Sequence, residues 1–177
     1  MSAMRVRKED PATPAPGAVV VRSMSPDDVV TVSRLERESF TTPWSARTFR
    51  TLLGRPGAEL WVAEHASGGV VGYYVLWCIQ DQGELANIAV EARYRGQRIG
   101  AMLLDHALEV AASRGVESVY LEVRVSNAPA RAMYESRGFE QIGVRRNYYD
   151  RPREDACVLM TRLEPRAPEP DPESEKS

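Results

Sequence analysis

Between Ile88 and Gly100 the chain passes from an apolar stretch, Ile88-Ala89-Val90, through Glu91-Ala92-Arg93-Tyr94-Arg95-Gly96-Gln97-Arg98, to a periodic apolar segment opening at Ile99-Gly100. A strand that turns into a helix leaves the helix's first N–H groups without acceptors. With the positive end of the dipole behind them, those groups favour a phosphate or pyrophosphate. Gly96 and Gly100 would let a ligand approach the backbone, and Arg95 and Arg98 add positive charge. The spacing is neither a P-loop nor a dinucleotide fingerprint, because it lacks both G-K-[ST] and G-x-G-x-x-G. Taken alone, a basic turn before a helix reads equally well as a solvated loop.

Other chemistries have little to work with. Cys78 and Cys157 lie far apart, and neither C-x-x-C nor H-E-x-x-H occurs. With His65 and His106 the only histidines, a metal site would be short of ligands, so no metal is expected. The cysteines read as reduced, buried thiols, and the histidines, one at a hairpin end and one on an amphipathic helix, as non-catalytic.

The 177 residues suit one domain. Hydrophobic residues make up 43% and charged residues 27%, a globular composition. The formal charge is −2, from 23 Lys+Arg against 25 Asp+Glu. Pro-rich stretches at 1–18 and 164–177 are expected to be disordered tails, the second acidic. The segment between them, 19–163, holds 18 cationic and 18 anionic residues, so no net charge draws it to nucleic acid or an anionic membrane. No apolar run is long enough to span a bilayer, and the N-terminus lacks the apolar segment of a secretory signal. The expected location is cytoplasmic.

Periodicity predicts the elements that must position the turn. A strand at 19–22 precedes a helix whose N-cap is Ser25 and whose first position is Pro26, with Val29, Val32 and Leu35 forming its stripe. Ser45 caps a second helix carrying Phe49, Leu52 and Leu53. Strands at 60–64 and 70–79 flank Ser67-Gly68-Gly69, and a third spans 84–90. A helix over 99–114 puts Ile99, Met102, Leu103, Ala107, Val110 and Ala111 on one face and stops at Gly115. A strand at 116–125, a helix at 128–137 and strands at 139–145 and 156–163 follow. The order β-α-α-β-β-β-α-β-α-β-β predicts an α/β domain with a mixed, mostly antiparallel sheet of about seven strands and helices on both faces.

Three blocks carry a family resemblance: Ile88–Gly100; Leu121-Glu122-Val123-Arg124-Val125-Ser126-Asn127; and Ala132-Met133-Tyr134-Glu135-Ser136-Arg137-Gly138-Phe139. Together they resemble the acetyl-CoA signature of the GNAT N-acetyltransferases. With Arg145-Arg146-Asn147-Tyr148-Tyr149 and Phe40-Thr41-Thr42-Pro43-Trp44-Ser45, the chain looks most like the RimI-type branch, which acetylates the N-terminal alanine of a small-subunit ribosomal protein. The resemblance covers about 19–163 and implies a GNAT fold. One position departs from the family pattern [QR]-x-x-G-x-[GA]: Arg98 stands where the first glycine is expected.

The resemblance implies acetyl-CoA as co-substrate. Ile88, Ala89, Val90, Arg95, Gly96, Gln97, Arg98, Ile99, Gly100 and Asn127 would bind it, Ile88–Val90 through their backbone and Asn127 at the pantetheine arm. It implies Glu122 as general base and Tyr134 as general acid for the leaving thiolate. The residues also allow plainer readings. Glu122 alternates with Val119, Leu121, Val123 and Val125 and could sit on a polar strand face paired with Arg124. Tyr134 could be a core-edge tyrosine, and Asn127 a helix N-cap, a role compatible with binding. For the acceptor, Tyr148 and Tyr149 could hydrogen-bond a peptide backbone opposite Pro43 and Trp44, against plain packing for each. Arg145 and Arg146 read as a solvated charge pair.

The function expected is acetyl transfer to a protein's N-terminal α-amine, the partner being a ribosomal protein, with no direct nucleic acid and no membrane. Alternatives are a GNAT enzyme for a small-molecule amine, and a CoA-binding module without turnover. The amine chemistry suits a modest base. An α-amino group with a pKa of about 7.7–8.0 is roughly a tenth to a fifth unprotonated at pH 7, whereas a lysine is free in less than about one part in a thousand.

Overall fold

The computed structural model describes residues 18–67 and 69–164. The tails expected at 1–18 and 164–177 lie outside that range, apart from Ala18 and Glu164 at its ends.

Seven strands form one sheet in the order β1-β2-β3-β4-β5-β7-β6. They are β1 (Val19–Ser23), β2 (Ala58–His65), β3 (Gly69–Ile79), β4 (Gln82–Val90), β5 (Ser118–Arg124), β6 (Glu140–Asp150) and β7 (Arg153–Arg162). Every pairing is antiparallel except β4 with β5. Helices α1 (Val29–Ser39) and α2 (Ala46–Leu52) cover one face, and α3 (Ile99–Ser113) and α4 (Ala128–Glu135) the other. The element order and the mixed sheet agree with the sequence.

The central strand β3 explains why two layers of helix are needed. Tyr73 and Val75 pack towards Val32, Leu35 and Phe49 beneath α1 and α2, while Tyr74 and Leu76 pack towards Leu103, Leu104 and Ala107 of α3. A strand apolar on both faces must be covered on both. The cap at Ser45 is present, its side chain accepting from Thr48 N–H at 3.2 Å. At Ser25 the first turn, Pro26–Asp28, is 3-10, and α1 begins only at Val29.

Four expectations need correction. Met102 is 37% exposed and Leu104 takes its place inside, because at about 100° per residue the buried positions 99, 103, 104, 107, 110 and 111 share one arc and position 102 falls outside it. Val125, expected inside, is exposed beyond the end of β5. Cys157 is buried but Cys78 only partly, as β3 reaches the sheet margin there; both are free thiols. Finally, β6 does not stop at Arg145. Asn147 adopts a left-handed φ of +52° and donates its N–H to Asp155 Oδ1 at 2.8 Å. Pairing resumes at Tyr149–Glu154, so Tyr148 and Tyr149 belong to a bulged hairpin arm and not to a loop between strands.

Candidate active site

The one parallel pairing is also the shortest. β4 and β5 are in register only from Gln82–Ser118 to Glu84–Tyr120. Beyond this β4 carries a bulge: Leu76 faces Leu85 while Val75 faces Asn87, leaving Ala86 unmatched. A bulge bends its strand, and here β4 and β5 part into a cleft of about 670 Å³. Ile88, Ala89 and Val90 form one side of it, and Glu122, Val123 and Arg124 the other. Backbone groups of β4 that would have paired with β5 are thereby available to a ligand.

At one end of the cleft stands the turn singled out by the sequence. Arg95, Gly96, Arg98, Ile99 and Gly100 line it, and Asn127 closes it from the start of α4. Gly96 has φ +79°, and a β-carbon there would meet nothing, so its backbone conformation is what calls for glycine. Arg98 is the N-cap of α3 at φ +62°, ψ +16°, a left-handed conformation that glycine adopts freely and arginine only under strain. Arginine therefore holds a backbone conformation that favours the glycine expected at this position. Arg95 turns partly back, its Nε donating to Val90 O at 3.0 Å and so tying the turn to the end of β4. Gln97 is not part of the lining, yet its Nε2 is buried without a partner. The free N–H groups of the first turn of α3 and the two arginines suit a polyanion such as a pyrophosphate. Asn127 is also an N-cap, accepting from Ala130 N–H at 3.3 Å, so both of its expected roles have the geometry they need.

Glu122 and Tyr134 both face the cleft. Burial raises the Glu122 carboxyl above the usual carboxylate range; Arg145 opposes that and Glu84 reinforces it. Arg145, not Arg124, is its ion-pair partner, with Nε 3.4 Å from Oε1. Arg145 belongs to β6 and reaches past Ala156 of β7, whose small side chain leaves the path open. Tyr134 is buried against Phe139 with ring centroids 5.6 Å apart. Burial, with Tyr149 adding to it, pushes its phenol well above the ordinary value, so it stays protonated at any physiological pH. Among the described residues nothing holds its hydroxyl, leaving the proton free to be given to a ligand. A carboxylate able to take a proton and a phenol able to give one thus line the same cleft.

The acceptor-side residues are placed less uniformly. Tyr149 lines the cleft; Tyr148 is 48% exposed and stacks edge-on against it at 5.0 Å. Pro43 and Trp44 do not line it. The Trp44 N–H is held by the buried Glu36 carboxylate at 3.0 Å, which turns its ring inward to Phe49 at 5.7 Å. Ser39 and Phe40 form that wall instead, and the sequence reading missed both. The wall is anchored from below: Glu36 also accepts from Asn87 Nδ2 at 2.9 and 3.0 Å and from the Tyr73 hydroxyl. The available signal was the position of Glu36, four residues after Val32 and seven after Val29, on the apolar stripe of α1. His106 bonds Tyr74 and His65 bonds Ser67, both outside the cleft lining.

A sheet opened between two parallel strands, with a basic turn at one end and a carboxylate and a phenol inside, suits acyl transfer. The acetyltransferase (GNAT) family matches residues 29–139. The bS18-alanine N-acetyltransferase of Escherichia coli K12 is 34% identical over 141 residues, 78% of this chain and 94% of its own length. A Bacillus subtilis relative is 38% identical over 144 residues, 81% and 95% of the two chains. The crystal structure of the S18-alanine N-acetyltransferase from Escherichia coli superposes with a TM-score of 0.76 at 31% identity, covering 85% of this chain and 97% of that one. The chain belongs to the GNAT acetyltransferase family, within its RimI-type branch. Members of the family use acetyl-CoA.

Proposed function

We propose that this protein transfers the acetyl group of acetyl-CoA to the N-terminal α-amine of a protein, and that the acceptor is a bS18-like ribosomal protein beginning with alanine. The observation that carries the reading is Glu122 and Tyr134 facing one cleft in a chain that matches a bS18-alanine N-acetyltransferase along nearly its whole length. Acetyl-CoA supplies the activated acetyl thioester. The turn at Arg95–Gly100 holds its pyrophosphate, while Asn127 and the backbone groups of Ile88–Val90 that face away from β3 align the pantetheine arm. Glu122 takes a proton from the incoming ammonium, directly or through water, and the free amine attacks the thioester carbon; as the C–S bond breaks Tyr134 protonates the departing sulfur, and the second proton lost from nitrogen restores the phenol. Phe40 and Tyr149 flank the acceptor, with Trp44 and Tyr148 behind them. The reaction runs in the cytoplasm, without a metal.

Acetyl-CoA turnover on short peptides, run beside polyamines and aminoglycosides, tests this directly. Peptides beginning with alanine are expected to give the highest kcat/KM. Preference for free polyamines would replace the reading with small-molecule acetylation, and acetyl-CoA binding without turnover would replace it with a binding module.

A further inference from the structure

Arg124 is two residues beyond Glu122 on β5, yet its guanidinium is not engaged with that carboxylate. Nη2 donates to Thr41 Oγ1 at 3.2 Å, in the segment between α1 and α2. The same nitrogen donates to Arg151 O at 3.3 Å, and Nη1 donates to Pro152 O at 3.0 Å, both in the turn joining β6 and β7. The planar group lies over the Tyr149 ring, 4.1 Å from its centroid, and Nη1 is 3.6 Å from Glu154 Oε1. The two segments it touches lie 83 residues before it and 27–28 after it, and they share no strand pairing. One carries Phe40 and the other Tyr149, and both of these residues line the cleft.

We propose that Arg124 is a positioning residue that sets the width of the acceptor end of the cleft by tying together the two segments that carry Phe40 and Tyr149. The inference rests on the acceptor assignment made above. Arginine alone among the side chains can make this clasp. Its five N–H donors in a rigid plane serve a hydroxyl, two carbonyls and an aromatic face together, whereas a lysine offers donors at a single point. The neighbouring charges fit the same assignment, since the ion-pair partner of Glu122 is Arg145 and that of Arg124 is Glu154. A width fixed in this way favours a small first residue on the acceptor.

The test compares Arg124→Lys and Thr41→Val with wild type. It reads kcat and KM for peptides beginning with alanine and with leucine, KM for acetyl-CoA, and Tm. Arg124→Lys keeps the charge but cannot span the two segments. Its KM for the alanine peptide is expected to rise about 10- to 100-fold, the effect of losing hydrogen bonds to a charged group. Its KM for acetyl-CoA should stay within about two-fold and its preference for alanine over leucine should shrink. Thr41→Val should move the peptide KM the same way by about two- to five-fold, having lost one bond of the set. Wild-type kinetics in Arg124→Lys would overturn the clasp, as would equal rises in both KM values with a lowered Tm. A wild-type protein inactive on every peptide would overturn the acceptor assignment, and the clasp with it. Active wild type beside an unaffected Arg124→Lys would overturn the clasp alone.

Discussion

Arg145 Nε lies 3.4 Å from Glu122 Oε1, so the carboxylate assigned as base already has a cation beside it before any acceptor arrives. Burial raises the Glu122 pKa, Arg145 lowers it and Glu84 raises it. A general base works only when deprotonated, so kcat/KM should fall as pH drops through that pKa. Arg145→Met removes the lowering charge and should move the acidic limb to higher pH. Glu84→Gln removes a raising charge and should move it to lower pH. Profiles of kcat/KM against pH for the two variants check both signs, and identical limbs would take Glu122 out of the base role.

Tyr134→Phe deletes one hydroxyl and leaves the packing against Phe139 intact. If the hydroxyl protonates the leaving thiolate, kcat should drop about 10²- to 10⁴-fold. Acetyl-CoA affinity, measured by calorimetry, should hold, because the hydroxyl has no assigned part in binding. Because burial keeps the phenol protonated, the wild-type profile should show no basic limb from this group near neutrality. Wild-type kcat in the variant would remove the assignment.

The Glu36 carboxylate is 1% exposed and joins α1 to the backbone of Trp44, to Asn87 beside the β4 bulge and to Tyr73. Replacing it with alanine strands three donors at once, the buried Tyr73 hydroxyl and the half-buried donors of Trp44 and Asn87. Glu36→Ala should cost about 2–5 kcal/mol in urea unfolding, the range for breaking a buried charged network from one side. Tyr73→Phe removes one donor and keeps the acceptor, so it should cost far less. A loss below about 1 kcal/mol in Glu36→Ala would mean that water substitutes for the carboxylate.

These residues also show what could be read from the sequence and what could not. Elements were legible because burial imposes periods: the 99–103–107–110 stripe and the two-sided apolar run of β3 are local patterns. The cleft-facing positions of Glu122, Tyr134 and the 95–100 turn were legible because their blocks lie within motifs. Partners were not. Arg124 is the nearest basic residue to Glu122 in sequence, but same-face neighbours on one strand stand about 7 Å apart, and the actual partner crosses from β6. The inward turn of Trp44 was equally hidden, because it depends on a carboxylate eight residues away whose partner no local pattern names. Long-range polar contacts leave no period to detect.

Arg98 combines both kinds of information: its type departs from the family in the sequence, and its left-handed backbone appears only in the structure. Two consequences separate cleanly. The backbone strain belongs to any residue with a β-carbon, so Arg98→Gly should relieve it and Arg98→Ala should not. Relief of about 1 kcal/mol, after the entropy that glycine loses on folding, corresponds to a rise in Tm of about 2–4 °C for a domain of this size. The guanidinium is lost in both variants. If it meets the pyrophosphate, both should bind acetyl-CoA several-fold more weakly, and the dependence of that affinity on salt should flatten, because an exposed charge acts through a screened field. Thermal melts and acetyl-CoA titrations at low and high salt distinguish the two effects. Equal Tm in the glycine and alanine variants would show that the turn relaxes without cost, and unchanged affinity in both would leave the pyrophosphate to Arg95 and the start of α3.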